Sequence, residues 1–145
     1  MKELFKYLRS KLKNLSSIAW VDKDKGQINR FNMRPAIGFP AALIKIDYPR
    51  TDAISRKKQR CFCRVTVRLV WDYNGDTDST TDDTALTESL SYFDTCDEVY
   101  NLLQAEIDHT IFQKPLERIS QIEENRNDGL LVVNIVFETV VFDGI

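Results

Sequence analysis

Few side chains in this chain are of a type that does chemistry, and their spacing argues against most of what they could do. His109 is the only histidine. A catalytic imidazole needs a nucleophile on one side and an orienting partner on the other, and the sequence offers neither. It falls at the predicted end of a helix, where the helix dipole favours an imidazolium, so a capping or surface role is expected. The three cysteines are Cys61, Cys63 and Cys96. An odd number argues against a disulfide framework and for a reducing, intracellular compartment. Cys61 and Cys63 stand two apart in a strand pattern, so they share a face and read as small buried hydrophobes. Cys96 lies near a predicted helix start, which can lower a thiol pKa, but no His or Lys stands beside it. No C-x-x-C or H-x-x-x-H spacing offers zinc its ligands. Asp72-x-Asn74-x-Asp76 opens like a calcium loop, with oxygen ligands at alternate positions. Thr77 stands where such a loop needs glycine, however, and Asp83 fills the twelfth place one methylene short of the usual glutamate. Gly26, Gly38, Gly75, Gly129 and Gly144 are isolated, so no phosphate-cradling run is present. No serine sits in a nucleophile elbow. The expectation is a protein with no catalytic residues, no metal, no cofactor and no enzymatic activity. A turnover that vanished in a His109→Ala variant would contradict it.

Charge is balanced in total but not in place. The net charge is −2 over 145 residues, which gives no general case for specific nucleic-acid binding. Lys2, Lys6, Arg9, Lys11 and Lys13 make the first predicted helix basic, and Arg56, Lys57, Lys58, Arg60 and Arg64 form a second basic patch. Asp72, Asp76, Asp78, Asp82, Asp83 and Glu88 form an acidic run. Opposed patches of this kind suit self-association; the plainer reading is a solvated loop and a solvated helix face. No apolar run approaches the roughly 20 residues of a membrane span. The basic N-terminus lacks the continuous apolar stretch of a secretory signal.

The elements that must position these residues are dominated by two long period-two segments. In 61–73, Cys61, Cys63, Val65, Val67, Leu69, Trp71 and Tyr73 share a face; in 130–142, Leu131, Val133, Ile135, Phe137, Thr139 and Val141 do. A typical strand is about 5–6 residues, so these predict unusually long strands. Val65, Val67, Leu69, Val133, Ile135 and Phe137 are the expected core. Leu4, Phe5, Leu8, Leu12 and Leu15 recur at helical spacing and predict an amphipathic helix over 2–15. Such a basic helix can lie on a membrane; covering one side of the sheet is the preferred reading. Short strands are expected at 18–21 and 27–32, a connector at 34–40, a strand at 41–48 and a polar loop at 49–58. Residues 76–84 hold no large apolar side chain and read as a mobile loop. Asp94 as N-cap and the stripe Val99, Leu102, Leu103, Ile107 predict a second helix over 95–110. Pro115 blocks its continuation. A strand at 116–122 and a hairpin turn at 125–129 complete the chain. The class expected is α+β, one domain over 1–145: a single antiparallel sheet with two main helices packed on one face.

In order and content these segments resemble the tail terminator (tail completion) proteins of long-tailed bacteriophages. The likeness is carried by an N-terminal helix, then Phe39-Pro40-Ala41-Ala42-Leu43-Ile44-Lys45-Ile46, similar to that family's proline-led second strand. Val65-Thr66-Val67-Arg68-Leu69-Val70-Trp71-Asp72 is similar to its long central strand. Phe93-Asp94 and Asp97-Glu98-Val99-Tyr100-Asn101-Leu102-Leu103 resemble the entry to its second helix. Phe112, Arg118, Asp128-Gly129 and Leu131-Val132-Val133-Asn134-Ile135-Val136-Phe137 resemble its closing hairpin. The resemblance implies a structural virion protein that closes into a ring, usually a hexamer, at the head-proximal end of the tail tube. There it stops tube growth and offers a surface to the head connector. It implies as partners further copies of the chain, tail tube and head connector proteins, with no membrane and with DNA free to pass through the ring. The location implied is the virion tail, and the host cytoplasm during assembly. On this reading Arg56, Lys57, Lys58, Arg60, Asp76, Asp78, Asp82 and Asp83 are expected at subunit contacts or the lumen. The competing classes are another phage or prophage neck or tail subunit, a non-enzymatic cytoplasmic ligand-binding or regulatory module, and a small enzyme.

Overall fold

A computed structural model describes residues 1–29, 37–72 and 75–144. Its frame is set by three strands of 13 residues each: β2 (Ala41–Ala53), β3 (Gln59–Trp71) and β5 (Leu131–Asp143). The central β3 runs antiparallel to both neighbours, and its register with β5 is unbroken from Gln59↔Asp143 to Trp71↔Leu131. The alternation in the sequence explains why. Cys61, Cys63, Val65, Val67 and Leu69 face one way and are matched by Val141, Thr139, Phe137, Ile135 and Val133. A slip of one residue would turn every one of these toward water. The edge strand β4 (Glu117–Glu123) pairs antiparallel with β5, and β1 (Trp20–Lys23) forms the other edge, giving the order β1-β2-β3-β5-β4.

The class is α+β, as expected, but the sheet is mixed: β1 runs parallel to β2, with Trp20 opposite Ala41 and Lys23 opposite Ile44. The connection explains this. Residues 24–40 lie between the two strands, and a link of a dozen or more residues lets the chain re-enter in the same direction, which a tight hairpin cannot.

Two helices cover one face. The helix α1 (Lys2–Lys13) buries Leu4, Leu8 and Leu12, and α3 (Tyr92–Leu103) buries Thr95, Cys96, Val99 and Leu103. With the inner-face residues of β2, β3 and β5, and with Phe112 and Leu116, they make one continuous core. The six expected core residues Val65, Val67, Leu69, Val133, Ile135 and Phe137 all belong to it, none more than 3 % exposed. At ~1.5–3 kcal/mol for each large apolar side chain, this face supplies most of the drive to fold. Among the described residues the outer face buries a smaller apolar cluster at one end: Ile28, Ala41, Leu43, Val70, Leu130 and Val132.

Several boundaries differ from expectation. The first short strand lies at Trp20–Lys23, and of the expected strand at 27–32 only residues 27–29 are described; they turn. β2 runs on through Pro49 to Ala53, well into the stretch expected to be a loop. Its register shifts between Asp47 and Arg50, an irregularity that lets a proline sit without breaking a ladder bond. A third helix, α2 (Asp83–Ser89), occupies part of the expected mobile loop; Asp82 caps it by accepting from the Ala85 N–H at 2.8 Å. α3 starts at Tyr92, ahead of Asp94, and stops at Leu103. It stops because Gln104 turns extended and Ala105 adopts φ 63°, sending its N–H to the Leu116 carbonyl at 2.8 Å. Ile107 and His109 are therefore beyond the helix, and His109 is an exposed loop residue rather than a helix-end imidazole. No helix among the described residues is long and apolar enough to cross a membrane.

Candidate functional site

Among the described residues, an organised group of polar side chains sits on the outer face of the sheet. Period-two facing puts Arg68 of β3 directly across from Asn134 of β5, each between two apolar neighbours in its strand. The turn between β4 and β5 brings in Glu124, Arg126 and Asp128, and the turn after β1 brings in Asp24 and Asn29. Arg68 grips Glu124 with two parallel bonds, Nε–Oε2 at 2.7 Å and Nη2–Oε1 at 2.8 Å. Its third nitrogen reaches Asn29 Oδ1 at 2.7 Å and lies 3.7 Å from Asp24. Arg126, whose side chain is only 2 % exposed, donates to Glu124 at 2.9 Å, to Asp128 at 3.1 and 2.7 Å, and to the Ile28 carbonyl. Asn134 donates to Glu124 Oε2 at 2.9 Å.

Both oxygens of Glu124 thus accept two donors each, leaving no free lone pair to take a proton from a substrate. The group is a clasp: it ties the β4–β5 hairpin and the turn after β1 to the middle of the sheet. Its electrostatics follow from the pairing. The Arg68 guanidinium bonded to Glu124 outweighs the cost of burial and, helped by Asn134 and Arg126, holds the Glu124 carboxyl down at about 2. The Arg126 guanidinium likewise holds Asp128 below the usual range. A carboxylate whose pKa is lower folded than unfolded adds stability above the unfolded value and loses it as pH falls. Stability is therefore expected to drop between about pH 4.5 and pH 2 by on the order of 2 kcal/mol from Glu124. Chemical denaturation of a Glu124→Gln variant checks this: it should start lower at pH 7 and lose less over that window. Equal slopes for the two proteins would sink the assignment.

The charged segments singled out in the sequence occupy opposite ends of the sheet. Arg56, Lys57 and Lys58 form the exposed tip of the β2–β3 hairpin, closed by Ile54 N–H to the Lys58 carbonyl at 2.8 Å, and Arg60 is exposed at the start of β3. Gly144 lies against this tip at φ 93°; any Cβ there would stand 1.9 Å from the Lys57 carbonyl oxygen. Asp76, Asp78, Asp82 and Asp83 are exposed beyond the other end of β3. Asp78 accepts from the Thr80 N–H at 2.8 Å and from its hydroxyl, and these bonds lower its pKa. Thirteen residues of β3 at about 3.3 Å each put the two segments roughly 40 Å apart. They do not meet within one chain. Of the expected calcium-like loop, Asn74 lies outside the described residues. Among the described residues no group of three His, Cys, Asp or Glu is placed to hold a metal.

The cysteines are buried among apolar side chains. Burial pushes the Cys63 and Cys96 thiols up to about 12, and Cys61 upward as well. For Cys96 this desolvation overrides the helix-start effect, so none of the three is an activated thiol.

The residues of the clasp are those that the sequence did not reveal. A signal was present: Arg68 stands between Val67 and Leu69, and Asn134 between Val133 and Ile135. Seeing that they face one another needs the register. No protein-family model matches the chain, and no curated protein matches its sequence.

Proposed function

We propose that this chain is the subunit of a ring that caps the head-proximal end of a phage tail tube and presents the surface to which the head connector joins. What supports the reading is layout. An N-terminal helix, a strand led by Pro40, a long central strand, a helix and a closing hairpin follow in the order that the resemblance implies, with both main helices on one face. The work proposed needs no catalytic group. It needs a stiff sheet, surfaces that fit a second copy, and rims that meet other proteins. The basic tip around Arg56 and the acidic segment around Asp82 lie at opposite ends of the strands. In a ring of side-by-side subunits they would line opposite rims or the lumen.

The test is electron microscopy and light scattering of the purified protein with and without purified tail tubes. Rings, or tubes closed at one end, are the expected result. A protein that neither forms rings nor caps tubes is not a terminator. Exposed ion pairs are worth about 0–1 kcal/mol each, so charge sets salt sensitivity and register here rather than holding the assembly. Reversing Asp82 and Asp83 to Lys should shift the salt dependence of capping; an unchanged dependence removes the charge part of the reading alone.

A further inference from the structure

The two long edges of this molecule differ in charge. On one, α1 lies beside β2, and a cavity of about 470 Å³ opens between them. Its floor is Phe5, Ile44 and Ile46, and its rim carries Lys2, Lys6, Arg9 and Lys23. The cavity is open because β1 is only four residues long: it pairs with Ala41–Ile44 and leaves the rest of β2, to Ala53, without a strand on that side among the described residues.

The opposite edge is β4 with α3 above it. Arg118 of β4 lies over the Tyr100 ring at 4.1 Å, and its N–H donates to Gln104 Oε1 at 2.8 Å, which places one side of α3 along this strand. Phe93 and Ile119 are 45 % and 47 % exposed there. Asp97 of α3 and Glu117 and Glu123 of β4 are exposed on the same two elements, as is Arg118. Two large apolar side chains in water, on elements with three exposed carboxylates to one exposed cation, complement an apolar floor whose rim is cationic.

We infer that the acidic α3–β4 edge of one copy docks on the basic α1–β2 edge of the next, Phe93 and Ile119 covering the floor of the cavity and Asp97 and Glu117 facing Lys6 and Arg9. The contact uses two different patches, so it is head-to-tail and closes into a ring or continues as a filament according to its rotation. It deepens the ring reading and rests on it for closure. Apolar burial supplies the affinity; charge supplies the direction, since turning either copy around brings like charges together.

Charge swapping tests it by sedimentation velocity, because all four residues named are exposed and their reversal leaves the core untouched. The variant Lys6→Glu with Arg9→Glu and the variant Asp97→Lys with Glu117→Lys should each weaken self-association by roughly tenfold or more. Mixing the two should restore it, since both contacts of an alternating assembly then pair opposite charges. All four changes in one chain should restore it too. Circular dichroism melts of every variant, expected to overlay the parent, separate loss of contact from loss of fold. The inference is overturned if the parent chain stays monomeric at every concentration and on tubes, if neither edge reversal weakens association, or if neither the mixture nor the fourfold variant restores it. Tubes capped normally by both edge variants would end this contact and leave the terminator reading. Association that obeys the swap without any capping would keep the contact and end that reading.

Discussion

An Ile135→Asp variant is expected to yield no folded protein. Ile135 is wholly buried at the centre of β5, opposite Val67 of β3 and beneath the helices. An aspartate there meets only apolar side chains. It must either ionise without a partner or bury an unbonded carboxyl, at a cost of several kcal/mol, on top of the lost packing of an isoleucine at roughly 2–5 kcal/mol. Against a total stability of about 5–15 kcal/mol, the sum consumes most or all of what a domain of this size has. Val67→Asp should do the same from the facing strand. Ile122→Asp makes the contrast, because Ile122 is 62 % exposed on the edge strand, and a change of no more than about 0.5 kcal/mol is expected there. Far-UV circular dichroism and thermal melts read all three. A soluble Ile135→Asp protein that melted cooperatively would mean that β5 does not face the core as described.

The second large effect is expected at the clasp. In Arg126→Met, Asp128, whose side chain is 6 % exposed, loses its paired guanidinium, and the Ile28 carbonyl loses a donor. Stripping one partner from a buried pair costs about 3–5 kcal/mol, because the remaining charge is left in a poor solvent. For a chain of this length that is a fall in Tm of about 10–15 °C. Removing both charges, with Arg126→Met and Asp128→Asn together, should cost less than the arginine change alone, since no orphaned carboxylate remains. A single variant melting within about 2 °C of the parent would show that the hairpin is held by something else.

How far the sequence carried the fold depends on what each element relies on. The strands β3 and β5 were legible because one face is buried and the other is not, so burial wrote a period of two into the residue types. α1 was legible for the same reason at a period near 3.6, through Leu4, Leu8 and Leu12. The failures have local causes. α2 is seven residues long and acidic, so it carries no apolar stripe; its one signal was Asp82 as a cap. The end of α3 is set by a left-handed alanine, Ala105, where a glycine would have announced the stop. Pro49 read as a break, and only the register shift beside it shows how a strand passes through. The parallel placement of β1 lies in a long-range pairing on which local pattern is silent. The clasp was hidden for the most instructive reason: Arg68 and Asn134 are 66 positions apart in the chain, and their meeting is a property of register, not of composition.

The equal length of the three long strands also governs how the molecule bears force. A pull along the strand axis, applied to one end of β3 and the opposite end of β5, loads their ladder in shear. Every bond from Gln59 to Trp71 then shares the tension at once. Peeling, in which bonds fail singly from one end, would require a pull across the sheet. The protein is therefore strongest in shear along one direction and weakest at right angles to it, where the seven-residue β4 and the four-residue β1 are the first seams to open.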